Sequence, residues 1–280
     1  MAALLFILST STLSAQTFSV LNPKVSQGDV VIVRIAPQWQ GSLVCISGFG
    51  KSYLPNQYGD VFMGMGVDTK PNKYSLHRIE CGRGVKLDPM FYEEVEVLER
   101  QFPETKMGRK ITPVDSVRRK KESQAIQDAY VRREAWTDYT QGDYRPPLYA
   151  VSIADLITDE FGKKRIYLNG QTTHGGVDLK AASKTPIKAV NSGVVLLVAR
   201  NFSLEGNMVI LDHGSGILSL YLHLSKINVK QGAKIKKGEV IGLSGSTGSV
   251  TGPHLHLMIK ANGINVDPLR FIDIVNRYIK

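Results

Sequence analysis

The sequence predicts a mainly β protein: two β-rich units separated by a charged stretch with a helix inside it. Three observations carry this. Runs of alternating or β-branched residues such as DVVIVRI, GVVLLVA and NMVILDHG recur along the chain, and Gly, Pro and Asn punctuate them. Between them, residues 113–147 have few branched apolar residues and a heavy load of charges of both signs. At 280 residues, 42% of them hydrophobic, the chain can fill the cores of two domains of ordinary size.

Residues 1–15, MAALLFILSTSTLSA, join an apolar run from Ala2 to Leu8 to small residues ending at Ala15, the outline of a secretory signal. Two features depart from the pattern: no Lys or Arg precedes the apolar run, and Leu13 stands where cleavage after Ala15 expects a small residue. The competing reading is an apolar first strand or helix. A membrane-spanning helix needs about 20 apolar residues, so no span is expected after removal of the signal. The expected location is exported, in the periplasm or cell envelope.

Residues 16–112 read as short strands, among them TFSVL, DVVIVRI, SLVCISG, KYSLHRIE and EEVEVLE, with no helix-length period. This spacing predicts an immunoglobulin-like β-sandwich. Cys45 and Cys81 both fall in its strands; one disulfide or two buried thiols fit equally well, because spacing does not show whether the Cβ atoms meet. Neither has a C-x-x-C partner, so neither is a candidate for zinc or redox chemistry. His77 stands alone and is expected to be a hydrogen-bonded structural histidine.

In the linker, residues 113–147, Ala125, Ile126, Ala129, Tyr130 and Ala135 recur at helical spacing and predict a helix from Ser123 to Trp136 with one docking face. The run Arg118-Arg119-Lys120-Lys121 is expected to be solvated, and Pro146-Pro147 marks a boundary. From residue 148 to 280 strand signals return: YAVSI, RIYLNG, VDLKA, PIKAV, GVVLLVA, NMVILDHG, ILSLYLHL and HLHLMIK. Asp267 and Pro268 supply a helix start, so this unit is expected to be antiparallel β with a closing helix.

The second unit contains five of the chain's six histidines. In TGPHLHL, His254 and His256 are two apart and share a strand face; in TTHGGVD, His174 and Asp178 are four apart. Imidazole and carboxylate are ligands for zinc, and hydrolytic zinc keeps three protein ligands and an open position. Taken singly, each residue has a plain reading: His174 as a surface turn residue, His223 as a core histidine, His213 in LDHGSG as support for a turn. The Gly-rich GLSGSTGSVTGPH lacks the Lys-Ser/Thr of a phosphate loop and reads as a close-packed loop beside the histidine strand. A net charge of +10 attracts anionic surfaces, but no nucleic-acid motif accompanies it, so nucleic acid is not an expected partner.

Residues 159 to 270 resemble the M23 zinc metallopeptidases, the lysostaphin or LytM-type cell-wall endopeptidases. The resemblance rests on H-x-x-x-D at His174 and Asp178, Y-x-H-L from Tyr221 to Leu224, and H-x-H at His254 and His256, in that order within a β-rich frame. It implies zinc as cofactor, His174, Asp178 and His256 as its ligands, and His223 and His254 as catalytic residues. Alternation in YLHL is read as placing Tyr221 and His223 on one face. The implied substrate is peptidoglycan, at stem peptides or cross-links; three roles stay open for the N-terminal domain, which are positioning on the wall, binding an envelope partner, and covering the catalytic groove. The alternative is a non-hydrolytic envelope protein of the same fold that binds wall or activates another hydrolase.

Overall fold

The computed structural model describes residues 17–37, 44–81, 92–111, 115–135 and 157–279. The expected signal segment, the YAVSI strand and the Pro146-Pro147 boundary lie outside the described residues. Two sheets form the first unit. One orders Phe18–Val20, Val30–Ile35 and Asp60–Gly64; the other orders Lys24–Ser26, Tyr92–Leu98, Asn72–Glu80, Val44–Gly48 and Lys51–Tyr53. In chain order this separates strands as an immunoglobulin-like sandwich separates A, B and E from C, F and G. Val31, Val33 and Met63 of one sheet meet Ile46, Leu76 and Val95 of the other in a shared core. Cys45 and Cys81 are disulfide-bonded within the larger sheet, their Cα atoms 5.2 Å apart. His77 lies between the buried and exposed extremes, and its Nδ1 has no hydrogen-bond partner, unlike the satisfied histidine the sequence suggests.

An eight-stranded sheet forms the second unit. Its order is Ile157–Asp159, Val177–Lys180, His254–Ala261, Ile217–Leu222, Gly206–Asp212, Gly193–Phe202 and Lys234–Ile235, with Ile264–Val266 added to His254–Ala261. Every pairing in it is antiparallel. The sheet has two different faces because side chains alternate. On one, Val209, Leu211, Tyr221, Leu257 and Ile259 are buried against Ile187, Ile227 and Ile241 of a small three-stranded sheet. The closing helix α2 (Pro268–Tyr278) adds Phe271 and Val275 to this core. Asp267 caps α2, accepting from the amides of Leu269 and Arg270, with Pro268 in the first turn.

The same core takes in Val30, Ile32 and Phe62 of the sandwich. Polar contacts surround that junction: Arg270 grips Asp29 with two nitrogens, Arg100 pairs with Asp267 at 2.9 Å, and the amide of Asn262 donates to Phe62 O. The sandwich and the eight-stranded sheet are thus packed as one body.

Helix α1 (Ser116–Ala135) begins two turns earlier than the apolar spacing suggests. Asp115 caps it by accepting from Arg118 N at 2.9 Å, and the Arg118–Glu122 pair at i,i+4 supports the first turns. Rather than remaining solvated throughout, the basic run is partly engaged: Arg119 makes a two-pronged bond to Glu205 at 2.7 and 2.8 Å. Ile126, Ala129 and Tyr130 then pack on Leu218, Leu220, Leu222 and Met258, the second face of the large sheet.

Candidate metal centre

That second face holds the predicted site. Asp178 and His256 are direct cross-strand partners, and Leu222 is the partner of His256 on its other side. His174 sits just before the Asp178 strand, on a Gly175-Gly176 turn that presses against the His254–Ala261 strand. A Cβ at Gly176 would stand 2.2 Å from Leu257 O, so only glycine allows this approach. His174 Nε2, His256 Nδ1 and Asp178 Oδ1 converge: the two nitrogens are 3.0 Å apart, and they lie 3.1 and 2.7 Å from the oxygen.

Backbone carbonyls set the protonation of the rings. A carbonyl only accepts, so a ring nitrogen bonded to one carries the hydrogen. His174 Nδ1 donates to Glu160 O at 2.8 Å, His223 Nδ1 to Thr247 O at 2.9 Å, and His254 Nδ1 to Gly252 O at 2.9 Å. In a neutral ring the other nitrogen, Nε2, is then a lone pair. His174 therefore directs a lone pair at a carboxylate oxygen and a second imidazole, an arrangement that calls for a cation. Tetrahedral zinc with ligands at about 2.0–2.1 Å separates its donors by about 3.3 Å, a few tenths more than the spacing found here. The three-residue set fits zinc, with the carbonyl of Glu160 fixing the ligand tautomer from behind.

Burial supports this chemistry. It pushes the pKa of His256 down, against its contact with Asp178, and so favours the neutral imidazole that coordinates metal. Burial raises the pKa of Asp178, and hydrogen bonds and charge from His174 and His256, when these rings are protonated in place of a bound cation, lower it more, so the group is a carboxylate. His223 is lowered to about 4, chiefly by burial and despite its bond to Thr247.

His223 and His254 stand beside the ligands. Their ring centroids are 5.0 Å apart, His223 is 5.8 Å from His256, and His254 Nε2 is 3.5 Å from Asp178 Oδ1. Tyr221 and His223 do not share a face, contrary to the sequence reading. The strand ends at Leu222, and Tyr221 points into the opposite core, where its hydroxyl accepts from Val190 N at 2.9 Å. His223 has φ 63°, a left-handed conformation that breaks the alternation and turns its ring to the metal face. Its amide donates to Glu205 O, tying it to the hairpin held by Arg119. The Gly-rich segment is the close-packed loop expected: a Cβ at Gly248 would stand 2.4 Å from Leu204 O, and Thr247 supplies the carbonyl that holds His223. His213 is remote, bonded to Ser192 O and Ser219 Oγ on the far face. Thr247, Glu160 and Glu205, whose carbonyls orient the histidines, carry no sequence signal because the contact is made by backbone.

Residues 172–268 match the family model described as Peptidase family M23. The chain carries an M23 peptidase domain. Curated relatives include the peptidoglycan DD-endopeptidase ShyA of Vibrio cholerae, 39% identical over 124 residues, which are 44% of this chain and 29% of that protein. The DD-carboxypeptidase/endopeptidase Mpg of Neisseria meningitidis is 43% identical over 96 residues, 34% of this chain and 22% of that protein. Among solved structures, a putative peptidase M23 from Pseudomonas aeruginosa aligns with TM-score 0.64 and 26% identity, covering 90% of this chain and 96% of that one. The M23 domain thus aligns with less than a third of the length of these two curated relatives, whereas the Pseudomonas similarity extends over the sandwich as well.

Proposed function

We propose that this chain is a zinc-dependent endopeptidase that hydrolyses peptide bonds in bacterial peptidoglycan, in stem peptides or cross-links. One observation carries the reading: three ligand atoms meet within 4.8 Å, flanked by two further histidines whose Nδ1 atoms are each clamped by a backbone carbonyl. His174, Asp178 and His256 hold the metal; His223 and His254 act on the substrate. The named activities of the Vibrio and Neisseria relatives supply the substrate class.

When bound, zinc polarises a carbonyl and lowers the pKa of a coordinated water to about 7. His223, its Nε2 lone pair facing the site, takes the proton of the attacking water and returns it to the departing amine. His254, when protonated, offers its Nε2–H to the oxyanion of the tetrahedral intermediate. The carbonyls of Thr247 and Gly252 keep both rings from turning over. Export to the periplasm or cell envelope belongs to the same reading, and the Cys45–Cys81 disulfide suits an oxidising compartment. No helix among the described residues is long and apolar enough to cross a membrane. The +10 charge would favour residence on an anionic wall.

The test is incubation of the full chain with purified peptidoglycan and mass spectrometry of the soluble products. New peptide termini, absent when the metal is chelated and restored by zinc, are expected. Intact wall after incubation with zinc-loaded protein would refute the reading.

A further inference from the structure

Beside His174 a cleft of about 520 Å³ runs on from the metal-bearing face toward the sandwich. Its floor carries Lys260 and Asn265, which are cross-strand partners on that face. Residues 66–69 of the sandwich form part of its wall. This wall is built to hold its shape: the Gln27 amide donates to Val67 O at 2.9 Å and Thr69 O at 2.8 Å. Gly175 packs closely on this floor; a Cβ there would stand 2.9 Å from Asn265 Nδ2 and 3.0 Å from Met258 Cε.

The polar groups on this floor are under-used. Lys260 is partly buried, and among the described residues it has no carboxylate partner: its ammonium makes a 3.5 Å contact with Gly263 O and lies 5.9 Å from the Tyr130 ring centre. Burial pushes its pKa down, with no opposing charge to restore it. The donor edge of Asn265, Nδ2, lies over Gly175, whereas its Oδ1 is an acceptor shut off from solvent and takes no part in binding an anion. Half-buried cations are normally paired, and this one faces a cleft without a bonded counter-charge among the described residues. Asp68 is the acidic side chain in the lining, and it is exposed.

We propose that the cleft is a subsite for a carboxylate of the peptide substrate, held by Lys260 Nζ and Asn265 Nδ2, with sandwich residues 66–69 as its outer wall. This rests on the endopeptidase reading and adds to it a preference for peptides whose free carboxylate lies about 13 Å from the bond cleaved, the span of the four strand residues from His256 to Lys260. Lys260 and Asn265 are specificity-determining residues, and the sandwich becomes part of the substrate site.

The test uses the full chain and two synthetic cross-linked stem peptides, one with free carboxyl groups and one with these converted to carboxamides. A charge-assisted hydrogen bond predicts that the acid form binds about tenfold more tightly to the His223→Ala protein in calorimetry. Lys260→Met should abolish that preference, Lys260→Arg should restore it, and Asn265→Leu should reduce it. In the active enzyme the Lys260→Met change should appear as raised KM, with kcat and zinc content little altered. Equal binding of the two peptides, failure of both to bind, or an acid preference that survives Lys260→Met would overturn the proposal. Peptide bound with the acid preference but never cleaved by the parental enzyme would instead refute the endopeptidase reading and leave the subsite standing.

Discussion

The two faces of the large sheet use histidine in opposite ways. On the far face His213 has both ring nitrogens satisfied, by Ser192 O at 2.7 Å and Ser219 Oγ at 2.6 Å, and Ser219 passes the network to the Tyr221 hydroxyl. On the metal face each of His174, His223 and His254 has one nitrogen held by a carbonyl and the other turned toward its neighbours. Histidine in a strand is thus not itself the signal. What distinguishes the site is the nitrogen that the protein leaves unspent.

The largest effect expected from this contrast is at the ligands. His256→Ala should lose zinc and turnover together, measured by elemental analysis and peptide release. Retention of stoichiometric zinc would remove His256 from the ligand set. Next comes His223→Ala, which should keep the metal and lower kcat by about 10²–10⁴. Release of wall fragments at the parental rate would rule out its role as base.

On the far face the effects should appear in stability and leave catalysis alone. Burial lowers the His213 pKa from 6.5 to about 4, so at pH 5 the unfolded chain takes up a proton that the native state refuses. The stability present above pH 6.5 is therefore lost as pH falls toward 4, by roughly 3 kcal/mol, and changes no further below that. Denaturant titrations should show a flatter pH dependence for His213→Asn over this window; an unchanged slope would contradict the assignment. Smallest of all, Tyr221→Phe should cost about 1–2 kcal/mol by leaving Val190 N–H and Ser219 with one partner fewer. Its kcat should match the parent, and a catalytic defect would mean that the two faces are coupled.

Much of this was legible in the residues. H-x-H on a strand and H-x-x-x-D at a glycine turn are spacings that geometry converts directly into a shared point in space, and Asp267-Pro268 announces a helix start. Three things were hidden. The position of His223 depends on one left-handed residue at a strand end, and an alternation rule carried one step too far put it with Tyr221. The docking of α1 depends on Arg119 finding Glu205, a pair 86 residues apart. Lys260 and Asn265 look like ordinary surface residues until strand pairing sets them side by side at the edge of a cleft.

The joint core of sandwich and peptidase sheet bears on modularity. A segment of about a hundred residues recurs in curated relatives that are longer than this chain, as if it were a cassette. In this chain Val30, Ile32 and Phe62 fill space beneath the eight-stranded sheet, and Asp29 neutralises Arg270. A graft of the M23 segment alone would arrive with that hollow open and that arginine without Asp29. Recombination or engineering that moves this domain must carry the sandwich with it or supply a substitute floor.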